Sequence, residues 1–325
     1  MIAADAEPLN EPVSKWVIYA AFSPDGEPTP HAAEQLADYR GLGFESLVID
    51  KSPMLTAARV ADWQRLASAW FQRPNVDYDF TSYREGIEHL AKRPSVDLGS
   101  TALLLTNDSC YGPFLPLRDV FARLLTSGTS PGAVWAITDS YEFNHHLQSY
   151  WLYFPPSAVP VAIEFFETMR PLKGLHDAIT HGELALSRFL RERGCTLRAL
   201  APTAEVVARY AKFRGVVWSL IELGLRRVLK RPKYNHETDA ACLRYLLRRP
   251  EPFARFNPTL GLGVQMVLAG WSPFLKRRLL RDNPYADRSV PECLASTELC
   301  NSDVIRILGG WPESRTVARS WGVGE

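Results

Sequence analysis

The chain has 325 residues, a formal charge of +1, 46% hydrophobic residues and 22% charged residues. That length buries a full core without disulfide or metal staples, and the apolar and aromatic content excludes a disordered chain. No run approaches the roughly 20 apolar residues of a membrane-spanning helix, and the acidic start MIAADAEPLNEP has no signal-peptide character. Five scattered cysteines (Cys110, Cys195, Cys242, Cys293, Cys300) without a C-x-x-C suit a reduced, cytoplasmic protein better than a disulfide framework or a zinc site.

In chain order, residues 1–14 read as a polar, proline-containing tail. WVIYAAF (16–22) predicts a buried strand and SPDGEPTP the loop after it. A helix is expected over 31–41, a strand over SLVID (46–50), and a helix over 58–70. TSYREGIEHLAKR (81–93) has helical spacing, with Thr81 or Asp79 as the expected N-cap. TALLLT (101–106) and AVWAIT (133–138) read as strands on either side of a helix at 115–125. SYWLYF (149–154) is a further strand, followed by helices near 158–170 and 174–194. This alternation predicts an α/β domain with a mostly parallel sheet over 15–201. From about Pro202 to 325 the chain reads as helical and basic, packed on that domain.

The near-neutral total hides an asymmetry. Between Arg188 and Arg281 there are 20 Lys/Arg against 6 Asp/Glu, a local charge of +14 that leaves −13 for the remainder. Such a split calls for an anionic substrate, a membrane surface or an interface between the two parts. Arg226, Arg227, Lys230, Arg231 and Lys233 follow GVVWSLIELGL (215–225), the pattern of either an interfacial helix or an ordinary core helix with a solvated basic face. The aromatics here form no nucleic-acid motif, so nucleic acid is not an expected partner.

Four segments could carry chemistry. In LLLTNDSCYGP (103–113), Asn107, Asp108 and Ser109 end an apolar strand, where open α/β sheets bind ligands, although an Asx-turn accounts for them equally well. In RPNVDYDFTSYREG (73–86), Asn75, Asp77, Tyr78 and Asp79 precede a helix, as anion-binding groups or simple caps. In WAITDSYEFNHHLQSYWLYF (135–154), Asp139 ends a strand and His145, His146 and Gln148 enter the next. The adjacent histidines point to different sides and make a poor metal pair, so one suits a sugar or phosphate contact. In THGELALSRFLRERG (180–194), the apolar stripe places Glu183 near a helix start, where an ionised carboxylate is favoured either as a general base or as a stabilising charge.

In order, these segments resemble the rhamnan synthesis protein F family, polysaccharide rhamnosyltransferases of bacterial surface glycan pathways. The resemblance is carried by N-x-x-Y-D-F (Asn75 to Phe80) with the helix start Tyr83–Gly86, and by L-L-T-N-D-S-C-Y-G-P-F (Leu104 to Phe114). Further on come I-T-D-S (Ile137 to Ser140), H-L-Q-S-Y (His146 to Tyr150) and G-E-L-A-L-S with a later glycine (Gly182 to Gly194). N-P-T (Asn257 to Thr259), P-F-L-K and L-L-R-D-N-P (Pro273 to Pro284) complete it, so that it spans roughly residues 15–285. The resemblance implies an A-type glycosyltransferase-like, Rossmann-like domain with flanking helices and a helical C-terminal region. Asn107-Asp108-Ser109 takes the place of a D-x-D motif, with Asp108 as ligand to Mn²⁺ or Mg²⁺. Glu183 takes the place of the catalytic base in an inverting transfer. Asn75, Asp79, Asn107, Ser109, Asp139, His146 and Gln148 are the implied substrate-binding residues. The implied donor is dTDP-L-rhamnose and the implied acceptor a growing lipid-linked glycan, on the cytoplasmic face of the inner membrane. The family usually has glycine where this chain has Asp77 and Thr81, which keeps two other readings open. One is a different nucleotide sugar, and the other a non-catalytic glycan- or membrane-binding protein on a degenerate transferase fold.

Overall fold

The computed structural model describes residues 14–75, 77–126, 132–210 and 257–282. Their centre is an eight-stranded sheet of β1 (Lys15–Ala21), β2 (Glu45–Asp50), β3 (Ala69–Gln72), β4 (Ala102–Asn107), β6 (Ala133–Ser140), β7 (His146–Leu147), β8 (Trp151–Phe154) and β9 (Thr196–Ala201). The strand order is β3-β2-β1-β4-β8-β6-β7, and β9 also pairs with β6. β1, β2, β3 and β4 pair in parallel, as do β6 and β9, whereas β8 runs antiparallel between β4 and β6. This is the mostly parallel α/β arrangement that strand–helix alternation predicts.

The strands are apolar on both faces because both are covered. Ile18, Ala20, Leu47, Ile49, Leu103 and Leu105 share a core with α3 (Asp79–Ala91), α5 (Val159–Thr168) and α7 (Leu184–Glu192). On the opposite face, Val17 and Leu104 pack with α4 (Leu117–Thr126), while Tyr19, Ala21 and Val48 pack with α1 (Pro30–Gly41) and α2 (Ala57–Leu66).

Several boundaries differ from the sequence reading. The helix expected over 58–70 ends at Leu66, and Ala69–Gln72 forms the edge strand β3. The helix expected over 174–194 has three parts: α6 (Leu175–Asp177), a π turn (Ala178–Glu183) and α7. The N-cap of α3 is Tyr78, with neither Asp79 nor Thr81 in that role. Asp79 lies in the first helical turn, where its carboxylate takes distant partners, and Thr81 is buried.

After α8 (Thr203–Tyr210), the described C-terminal segment folds back on the domain through α9 (Pro258–Gly261), α10 (Gly263–Leu268), β10 (Leu275–Lys276) and α11 (Arg277–Asp282). β10 pairs antiparallel with β5 (Cys110–Tyr111). Phe114 donates its N–H to the Pro273 carbonyl at 2.8 Å, and Arg277 to that of Ser109 at 2.9 Å. Gly112 makes this approach possible. Its φ is +119°, and a Cβ there would stand 2.4 Å from the Pro273 oxygen. The basic stretch 215–233 and the tail 1–13 lie outside the described residues, and among the described residues no helix is long and apolar enough to cross a membrane.

Candidate active site

The carboxyl ends of β1, β2 and β4 meet the start of α3, and there the chain gathers charge. Asp79 on α3 pairs with Lys51, the residue directly after β2, and accepts from the Asn107 amide at 2.7 Å. Burial alone would pull the Lys51 ammonium down, but Asp79 beside it holds it above its ordinary value. Asn107 in turn accepts from the Ser109 backbone N–H at 3.0 Å, closing the Asx-turn that ends β4. The Asx-turn reading thus holds for Asn107, while for Asp79 a tertiary ion pair displaces the capping reading.

Asp108 takes different partners. Its Oδ2 accepts the Phe22 N–H at 2.7 Å and stands 3.7 Å from Arg277, whose guanidinium also donates to the Asp108 carbonyl at 3.3 Å. Lys276 donates to the Ser109 hydroxyl at 2.8 Å, with its ammonium 4.7 Å from the Tyr150 ring centre. Burial, opposed by Arg277 and reinforced by Asp79, pushes the Asp108 carboxyl from 3.8 up to about 6.

That shift gives a stability test. The folded state binds the Asp108 proton more readily than the unfolded chain does, so its contribution is complete below the unfolded value and is lost as pH rises through about 6. Asp108→Asn removes this cost and is expected to raise stability at pH 7.5 by about 2–3 kcal/mol at most. The gain should vanish near pH 4 in paired thermal melts. A loss of stability at both pH values would refute the assignment.

The second cluster surrounds Glu183. Glu183 is the last residue of the π turn and directly precedes α7, so it does lie near a helix start, but its side chain makes no capping hydrogen bond there. Its orientation comes from side contacts: Oε1 accepts the Ser149 N–H at 2.6 Å and Oε2 lies 3.7 Å from His146 Nε2. Tyr83 donates to the Ser149 carbonyl at 3.1 Å, so Tyr83 and Glu183 hold the two ends of the same residue's backbone. Tyr83 lies within electrostatic reach of both Asp79 and Glu183, which places it between the two clusters. Gly182 lets the π turn sit against α3, since a Cβ there would stand 2.8 Å from the Phe80 ring. The Glu183 side chain keeps 19% exposure, enough for a ligand to reach it.

The other expected residues divide. His146 joins Glu183 and His145 joins Asp139 at 3.0 Å, so the neighbouring histidines do serve different sides. Asp139 accepts the Thr203 N–H at 2.6 Å, and Gln148 bridges Thr138 and Asn257 at 2.6 and 2.9 Å. Both are structural links at this wall of the site. Asn75 is exposed in the loop before α3 and is not brought into either cluster. Asp77 is held by Arg73, which also pairs with Glu85, so its extra carboxylate is neutralised locally.

Lys51, Tyr83, Lys276 and Arg277 are the site residues that sequence reasoning missed. Lys51 follows the strand SLVID directly and Lys276 closes P-F-L-K, so position beside a strand end was the available signal.

The donor set does not fit a divalent ion held by the protein. Hard cations want several anionic oxygens, but Asp79 is committed to Lys51 and Asn107 while Asp108 has Arg277 beside it. Among the described residues no three His, Cys, Asp or Glu side chains group as metal ligands.

The model of the family described as rhamnan synthesis protein F matches residues 47–248. Virulence protein VirA of Vibrio anguillarum is 26% identical over 247 residues, covering 73% of this chain and 69% of that protein. Among solved structures, the mannosyltransferase PcManGT from Pyrobaculum calidifontis, in complex with GDP-Man and Mn²⁺, is 12% identical with a TM-score of 0.37, over 94% of this chain and 84% of that one. TarS of S. aureus (residues 1–349) is 14% identical with a TM-score of 0.37, over 96% and 92%.

Proposed function

This chain belongs to the rhamnan synthesis protein F family, and we propose that, as a glycosyltransferase of polysaccharide synthesis, it transfers L-rhamnose from dTDP-L-rhamnose to a lipid-linked glycan. The observation that carries the reading is Glu183. It is a partly exposed carboxylate fixed by the Ser149 N–H and His146, and Tyr83 lies between it and the polar cluster at the carboxyl ends of β1, β2 and β4.

In this mechanism Glu183 takes the proton from an acceptor hydroxyl as its oxygen attacks the anomeric carbon. The bond from that carbon to the donor phosphate oxygen breaks, and its electron pair leaves on the diphosphate. Attack from the face opposite the leaving group inverts the anomeric centre. His146 orients the base. Asp79, Asn107 and Ser109 serve the donor side at the carboxyl end of β4, and Asn75, on the exposed loop before α3, would reach the donor only from outside this cluster. Asp139 and Gln148 hold the wall that carries His146, through Thr203, Thr138 and Asn257. No step is assigned to a metal. The basic stretch 215–233 is assigned to anionic lipid at the inner membrane, where each basic residue near the surface contributes about 1 kcal/mol.

Thermal shift with dTDP, UDP, GDP and their nucleotide sugars tests the reading. A ligand at 100 times its Kd stabilises a protein by about 2.7 kcal/mol, so dTDP and dTDP-L-rhamnose are expected to give the largest shifts. A larger shift with UDP or GDP sugars reassigns the donor. No shift with any nucleotide, with or without Mn²⁺, favours the non-catalytic binding protein.

A further inference from the structure

We propose that Lys276 and Arg277, on the returning C-terminal segment, bind the donor diphosphate together with Lys51 and neutralise it as it leaves, so that donor binding needs no divalent metal. This rests on the nucleotide-sugar reading above and deepens it.

Three observations lead there. First, three cations from two distant parts of the chain converge on one strand end: Lys51 after β2, and Lys276 and Arg277 at the β10–α11 junction. They face two carboxylates, Asp79 and Asp108, which leaves positive charge in excess among these five groups. Second, the cations are fixed before any ligand arrives. Lys51 is 5% exposed and pinned by Asp79, and the Arg277 backbone is bonded to Ser109. Lys276 is held by the Ser109 hydroxyl and the Tyr150 ring. Preorganised cations stabilise developing negative charge without reorganisation at the moment of reaction. Third, the acidic groups that would be metal ligands are already paired with these cations. Asp108 is better placed to hold Arg277 than to coordinate an ion, which makes it a positioning residue.

The leaving diphosphate gains charge as the bond from the anomeric carbon breaks and its electron pair moves onto the phosphate oxygen. A guanidinium and an ammonium at that place give charge-assisted hydrogen bonds to the same oxygens a divalent ion would polarise.

The test is calorimetric binding of dTDP and of inorganic pyrophosphate to the full chain, in EDTA and again with Mn²⁺. The wild type is expected to bind dTDP with essentially the same affinity in both. Lys276→Met and Arg277→Met, each with an unchanged thermal melt, should weaken both ligands about tenfold or more, and Lys276→Arg should recover most of the loss. Binding of dTDP only in the presence of Mn²⁺ overturns the proposal, whatever the variants do. So do folded variants that bind like the wild type. Pyrophosphate binding in EDTA that the two variants weaken, without any dTDP binding, supports the cation site and overturns the nucleotide reading alone. No binding of either ligand overturns both.

Discussion

Glu183→Gln should leave dTDP affinity and the thermal melt nearly unchanged while lowering sugar transfer about 10²–10⁴-fold, the usual contribution of a general base. The substitution is mild in structural terms. The Gln carbonyl oxygen can still accept the Ser149 N–H, now at 2.6 Å from Glu183 Oε1, and the amide occupies the volume of Oε2 beside His146. What disappears is the capacity to accept a proton. Single-turnover transfer with saturating nucleotide sugar separates the chemical step from donor binding. Retained turnover would place the base elsewhere and leave the donor-site argument standing.

Asp50→Ala is expected to produce the largest loss of stability, about 3–5 kcal/mol, because it strands a buried cation. Asp50 ends β2 and neighbours Lys51, yet its role is opposite. Both it and Arg59 have side chains with no exposure. Oδ1 accepts the Ser52 N–H at 2.8 Å and the Ser52 hydroxyl at 2.5 Å, and Oδ2 accepts Arg59 Nε at 2.6 Å and Trp63 Nε1 at 2.7 Å. Alanine would leave the Arg59 guanidinium, itself 4.9 Å from the Trp63 ring, without its anion. Domains of this kind are stable by only about 5–15 kcal/mol, so urea unfolding should show a sharply lowered midpoint. A midpoint near that of the wild type would mean that water or a neighbour replaces the carboxylate.

The two cases show what the sequence carried and what it did not. β1, β2, β4, β6 and β8 were legible because each is an apolar run bounded by turn residues. β3 was absorbed into the preceding helix because four residues, Ala69–Gln72, give no period to read. β9 was hidden by Thr196 and Arg198, outward residues of a strand that pairs along β6. In the site, the Asx-turn of Asn107 and Ser109 was legible because that bond spans two residues. Asp79 was misread as a cap because its partners, Lys51 and Asn107, lie 28 residues away on either side. Arg277 reaches Asp108 across 169 residues, a pairing no local pattern encodes. Glu183 directly precedes α7, near a helix start as its motif suggests, but its orientation comes from side contacts with Ser149 and His146 that no local pattern encodes.

The return of β10 onto β5 also sets an order of events during synthesis. A chain that has emerged through Ala201 holds all eight strands of the main sheet, together with Lys51, Glu183 and the Asn107–Ser109 turn. It does not yet hold Lys276 or Arg277, which arrive with the segment that packs over Gly112. Synthesis of the sheet's strands and arrival of these two cations are therefore separate in time. A nascent or prematurely terminated chain would have the strands of the main sheet without these two cations, and under the donor-site role proposed above such unfinished copies would not compete for activated sugar.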